Sequence, residues 1–177
     1  MLKKILIAIG VLVVAVAGLL LYASITQPDT FRVQRAMTIN APHEKVYGIL
    51  TDLHRGAEWS PFEKGKTMKK TFSGPATGTG SALEWEGGSD ISAGKLRIAQ
   101  ATPSKITLNL DMTKPMTANN IVEYDLTSKG DATNVTWSMH GPMNIFSKVM
   151  CTFTSMDKML GGTMEEGLSN LNALAAK

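Results

Sequence analysis

Few side chains in this sequence can do chemistry, and their spacing argues against most kinds of it. The three histidines, His43, His54 and His140, share no metal-ligand spacing. His54 has Asp52 and Glu58 nearby, but in an irregular stretch where solvated charges are the default. Cys151 is the single cysteine, which excludes an internal disulfide and any cysteine-cluster metal site. It falls beside an apolar stripe and reads as a small core residue, with no basic neighbour placed to activate it. No serine stands in a nucleophile elbow. Gly74, Gly78 and Gly80 make a glycine-rich loop, but it lacks the Lys-Ser/Thr ending of a phosphate loop and joins two strands, so a hairpin is expected. Glu84 and Glu86 share a strand face, as an acid/base pair would. That face is opposite Leu83 and Trp85, which makes it the wet one. Asn134-Val135-Thr136 has the form of a glycosylation sequon inside an expected strand. No catalytic set, metal site or cofactor emerges, and the reading leans away from an enzyme.

The large apolar residues are more informative. Trp59, Trp85 and Trp137 fall on or beside expected inner faces, where they either fill a core or line a cavity. The 11 methionines suit both, because methionine fills irregular cores and lines adaptable pockets alike. Gly161, Gly162 and Gly167 lie inside an expected helix, where each costs about 1 kcal/mol relative to alanine. They permit a bend, or the close approach of a strand or a ligand.

The elements that must position these residues follow from hydrophobic period. Residues 144–177 read as one long amphipathic helix, with Phe146, Val149, Met150, Phe153, Met156, Leu160, Met164, Leu168, Leu171 and Leu174 at steps of three and four. Such a rod, roughly 45 Å long, needs an apolar partner of similar length. Residues 31–39 alternate as a half-buried strand, with Phe31, Val33, Met37 and Ile39 inward and Arg35 the exception. Pro42 and Glu44 open a short helix whose inner stripe is Val46, Tyr47, Ile49, Leu50 and Leu53; 52–61 reads as irregular. Six further strands are expected at 68–73, 81–86, 92–101, 105–112, 117–127 and 134–140. Turn residues separate them, Gly87-Gly88 and Lys114-Pro115 among them. The expected fold class is α+β: a curved antiparallel meander of about seven strands around the C-terminal helix.

The N-terminus is of another kind. Residues 5–23 carry no charge and no proline, enough to span a bilayer core. An uncleaved signal-anchor and a cleaved signal peptide, with Ala15-Val16-Ala17 resembling a cleavage site, both fit; the run stays apolar past that site, which favours the anchor. No cysteine follows for lipoprotein processing. Lys3 and Lys4 favour a cytoplasmic N-terminus with the domain outside, periplasmic in a Gram-negative host, although Arg32 and Arg35 weaken the asymmetry. The link 24–30 reaches only about 25 Å fully extended, so the domain 31–177 must sit close to the bilayer. The net charge of +3 is spread thinly and excludes the concentrated basic face of nucleic-acid binders.

The order of elements resembles the helix-grip fold of the START-like, or SRPBCC, superfamily, and most closely its polyketide cyclase/dehydrase and lipid-transport group. The likeness is carried by Ile39-Asn40-Ala41-Pro42 with Val46, Trp59-Ser60-Pro61, Trp85-Glu86-Gly87, Val135-Thr136-Trp137, and Met156-Asp157-Lys158-Met159 with Gly161 and Gly167-Leu168. It implies an apolar cavity between sheet and C-terminal helix that takes lipids, sterols, polyketides or other hydrophobic molecules. No acid/base set of the catalytic members carries over. The expected function is a membrane-anchored binding module for a hydrophobic small molecule or lipid. Its pocket residues would be Trp59, Phe62, Trp85, Met112, Met116, Trp137, Phe146, Met150 and Phe153. A cyclase- or dehydrase-like enzyme would need an inward charge, for which Arg35, Arg97, Asp111 and Glu123 are candidates if the strand register slips by one. An accessory interaction protein would instead have a filled core.

Overall fold

The structure, a computed structural model, describes residues 1–63, 65, 67–87, 92–114 and 116–177. Gly88 and Pro115, expected in turns, lie outside the described residues. Helix α1 (Leu2–Thr26) comes first, then β1 (Thr30–Ile39) and α2 (His43–Thr51). The stretch expected to be irregular holds a 3-10 turn (Leu53–Arg55) and a single-turn helix α3 (Gly56–Trp59). The Asp52 carboxylate accepts from the His54 backbone N–H at 3.0 Å and starts this turn. Six strands follow: β2 (Lys69–Ser73), β3 (Ala82–Gly87), β4 (Ser92–Thr102), β5 (Lys105–Lys114), β6 (Ala118–Lys129) and β7 (Ala132–Pro142).

All seven strands form one antiparallel sheet in the order β1-β7-β6-β5-β4-β3-β2. Every strand expected from the period of two is present, each end within about two residues of its expected place. The loop between β2 and β3 turns on Gly74, Gly78 and Gly80, all at positive φ. Gly74 has no alternative, because a Cβ there would strike the Gly80 carbonyl.

The C-terminal helix departs from expectation. In place of one rod over 144–177 there are two helices, α4 (Ile145–Phe153) and α5 (Met156–Ala175). Thr154 and Ser155 between them are extended. The Ser155 hydroxyl accepts from the Lys158 backbone N–H at 3.2 Å, and Asn144 does the same for Ser147 at 2.9 Å. A serine able to cap a new helix offers its backbone an alternative to continuing the old one. The apolar stripe therefore divides. Met164, Leu168 and Leu171 of α5 are buried in the grip, whereas Phe146, Met150 and Phe153 of α4 are exposed.

Helix α5 lies along β1. Arg35, the odd charge on the inner side of β1, reaches it: its guanidinium donates to Asp157 at 2.7 Å and to Glu165 at 2.5 Å. The two carboxylates hold the guanidinium pKa above its ordinary value. The helix glycines are explained here by protein groups. A Cβ at Gly161 would collide with the Arg35 guanidinium, and one at Gly167 would lie 2.6 Å from the Trp137 ring and 3.1 Å from Pro61. At Gly162 a Cβ would meet nothing within 4 Å.

Candidate functional site

The inner face of the sheet is the surface that the fold sets aside, and its two ends differ. At one end α2, α3 and the second half of α5 close over β1, β7 and β6. Trp59, 5% exposed, and Trp137, 2% exposed, meet edge to face at 5.7 Å between ring centroids. Phe62 and Tyr124 pack on Trp137 at 6.0 and 5.5 Å. Asn170 of α5 donates to the Trp59 carbonyl at 3.1 Å and ties helix to cluster. Between sheet and helices, among the described residues, lies a cavity of about 40 Å³, with Ile49, Leu53, Trp59, Leu96, Leu108 and Tyr124 in its lining together with Asp52 and Glu63. That is room for about one water molecule. Trp59, Phe62, Tyr124 and Trp137 pack into the space beside this cavity.

Toward the other end the same sheet face loses its cover on β5, β4 and β3. Along β5, Ile106 and Leu108 are buried while Leu110 and Met112 are partly exposed. Along β4, Ile98 is buried and Leu96 partly exposed; along β3, Leu83 is buried and Trp85 partly exposed. The register puts Leu83, Leu96 and Leu110 in one row and Trp85, Gly94 and Met112 in the next. The Trp85 ring lies across Gly94, where a Cβ would come within 2.6 Å of it. A continuous apolar strip thus runs from the small cavity to the open end of the sheet. Met116, partly exposed, follows the end of β5. The α4 N-terminus stands beside it, with Asn144 donating to the Thr117 carbonyl at 3.3 Å.

The nine expected pocket residues therefore divide into three groups. Trp59, Phe62 and Trp137 are in the packed cluster, Trp85, Met112 and Met116 at the open end, and Phe146, Met150 and Phe153 on the outside of α4. Arg97, Asp111 and Glu123 belong to the outer face, as the alternation requires.

Sequence reasoning missed the polar groups that do face inward. Lys70 pairs in register with Trp85, and its ammonium donates to Glu63 at 2.7 Å. Glu63 comes from the irregular stretch before β2, where period carries no information. Tyr124, on the inner face of β6, is buried, and burial raises its phenol pKa. The Trp137 indole N–H and the Asn120 side-chain oxygen are buried with no hydrogen-bond partner among the described residues. Asn120 shares a row with Leu110, so its amide borders the apolar strip.

The outer face carries the larger hollow, about 520 Å³ and open to solvent, lined by Lys69, Glu84, Glu86, Lys95, Asp111 and Lys114 among others. Its charges neutralise one another: Lys95 meets Glu84 at 2.8 Å and Lys114 meets Glu86 at 3.0 Å. Glu84 and Glu86 are thus solvated ion-pair partners. The histidines are equally dispersed, His43 on the Pro103 carbonyl at 2.6 Å, His54 stacked on Phe72 at 3.9 Å, and His140 near Glu123 at 3.5 Å.

The family described as "Polyketide cyclase / dehydrase and lipid transport" matches residues 30–176, all of the chain from β1 to the end of α5. The chain belongs to this family. Solved structures agree on the helix-grip fold. The Zhui aromatase/cyclase from Streptomyces sp. R1128 is similar with a TM-score of 0.63 at 13% identity, over 83% of this chain and 94% of that one. The ginseng major latex-like protein 151 from Panax ginseng has a TM-score of 0.59 at 12% identity, over 85% and 100%. A protein from Chromobacterium violaceum has a TM-score of 0.59 at 19% identity, over 85% and 99%. Identities this low carry the START-like fold and no chemistry. No curated protein matches the sequence.

Proposed function

We propose that this member of the polyketide cyclase/dehydrase and lipid transport family is a binding module that holds a hydrophobic small molecule or lipid at the open end of its grip. The observation that carries the proposal is the strip of Leu96, Leu110, Met112 and Trp85, an apolar sheet face left partly exposed where its continuation is fully buried. Met116 extends the strip, the aromatic cluster forms its floor, and the unpartnered Asn120 amide offers one polar contact to orient a ligand. The inward charges Glu63 and Lys70 are spent on each other, which supports binding over acid/base catalysis.

The module works beside a membrane. Helix α1 is long and apolar enough to cross one, with a mean hydropathy of 2.9, and only the short stretch Gln27–Asp29 separates it from β1. Lys3 and Lys4 favour an inside N-terminus, which supports a domain on the outer side.

The test is to purify the full chain from its host in an amphipathic polymer, extract it with organic solvent and identify what is released by mass spectrometry, with Met112→Glu as control. A hydrophobic molecule at one equivalent, absent from the variant, is expected. An empty protein that takes up nothing from a lipid mixture would move the weight to an accessory interaction protein.

A further inference from the structure

Helix α4 is the least explained element of the fold. Ile145 is 47% exposed, Phe146 54%, Met150 38% and Phe153 76%. Soluble helices turn such residues inward; α4 turns them out, and its one charge in. Lys148 is 8% exposed and donates to Asp29, just past the end of α1, at 2.6 Å. The Met143 backbone N–H donates to the Asp29 carbonyl at 2.7 Å. These bonds lock the start of α4 to the foot of α1.

The two helices also pack on each other, and the exposure of α1 marks where. From Leu2 to Gln27 only Leu19, Ala23 and Gln27 are not exposed, spaced four apart on one helix face. Leu19 and Ala23 belong to the uncharged run that would lie in the bilayer. The depth of α4 is therefore fixed by its neighbour: it sits at the level where the apolar span ends. There its outward side chains, uncharged and continuous with the apolar surface of α1, face hydrocarbon or headgroups and not bulk water.

We infer that α4 is an interfacial helix that lies in the outer boundary of the same bilayer that α1 spans, with Phe146, Met150 and Phe153 inserted among the lipids. The inference rests on α1 being membrane-inserted. A helix of this length, about 14 Å, embeds its apolar face about 5–10 Å into the headgroup–acyl boundary. The outward residues carry no charge, so the contact needs no anionic lipid. Because the α4 N-terminus adjoins Thr117 and the end of β5, this seating brings the open end of the apolar strip to the bilayer surface. A ligand could then pass between lipid and strip with little exposure to water.

The test uses the full chain in phosphatidylcholine vesicles. With Cys151→Ser as background, single cysteines replace Phe153, Leu12 or Glu165 and carry an environment-sensitive fluorophore; the quencher is a doxyl-labelled lipid. Phe153 is so exposed that its replacement leaves the fold intact. The labels at positions 12 and 153 are expected to show blue-shifted emission and to be quenched; the one at 165, on the wet side of α5, is not. Quenching at 12 without quenching at 153 overturns the inference and leaves the anchor standing. No quenching at either position overturns both. A label at 153 that is blue-shifted yet unquenched means a protein surface covers α4, which also overturns the inference.

Discussion

The two ends of one sheet face are built from the same alternation yet reach opposite states. At the closed end, inner residues of β1, β7 and β6 are sealed by α2, α3 and α5 around Trp59, Tyr124 and Trp137. At the open end, the same face of β3, β4 and β5 keeps Trp85, Leu96 and Met112 partly in solvent. The difference is made by two residues, Thr154 and Ser155, where the C-terminal helix breaks. An unbroken rod would continue the buried stripe of α5 through Met150 and Phe146; after the break those residues point outward instead. Where a helix ends thus decides which part of a uniformly apolar face becomes core and which stays available.

Replacing one tryptophan at each end is the strongest way to break this contrast. Trp137→Ala removes a fully buried ring that three aromatics and Gly167 pack against, and is expected to cost about 3–5 kcal/mol in denaturant unfolding of the full chain in detergent. Trp85→Ala removes a partly exposed ring that lies across Gly94, and is expected to cost about 1–2 kcal/mol. Equal costs would mean that the open end is as firmly packed as the closed one.

The fold was legible because period and punctuation agree along most of the chain. Residues 105–112 and 134–140 alternate cleanly and are bounded by turn residues, and both strands are present with their expected inner faces. The break at Thr154 was illegible because the hydrophobic stripe runs straight through it. Ser155 caps α5, but a serine between two apolar stretches is equally at home on a wet helix face. The site was less legible than the fold. Alternation tells which side chains point inward, but whether anything covers them depends on elements distant in sequence. Phe153 has the signature of a core residue and sits 76% exposed. Glu63 and Lys70 meet across a stretch without period, so nothing short of coordinates would pair them.

A smaller contrast lies within α5. Gly167→Ala drives a methyl into the Trp137 ring and Pro61, neither free to move. The overpacking cost of about 1–3 kcal/mol exceeds the helix-propensity gain of about 1 kcal/mol, so the melting temperature should fall. Gly162→Ala meets open space and keeps only the gain, so the melting temperature should rise. A rise for both would show that α5 is loosely seated on the aromatic cluster, and the closed end would lose its distinction.

The outer face repeats the division in its charges. Behind the closed end, Glu123 is 13% exposed, with Lys105 at 2.6 Å and Arg32 and His140 each at 3.5 Å. The Lys105 hydrogen bond, chiefly, holds the Glu123 carboxyl below its ordinary 4.5. Behind the open end, Lys114 lowers Glu86 in the same way, but Glu86 is 68% exposed and solvent screens the pair. A carboxylate with a depressed folded pKa contributes stability that is present above the ordinary value and is lost as pH falls through the folded one. Unfolding followed from neutral pH down past 4.5 should therefore show an acid-side loss of stability that Glu123→Gln makes shallower and Glu86→Gln leaves nearly unchanged. The glutamine keeps the shape of the side chain but has no charge to lose, so what changes is the slope against pH and not merely the stability at neutrality. If both variants flatten the profile alike, burial is not what separates the two ends of the outer face, and the partner lysine alone sets the effect.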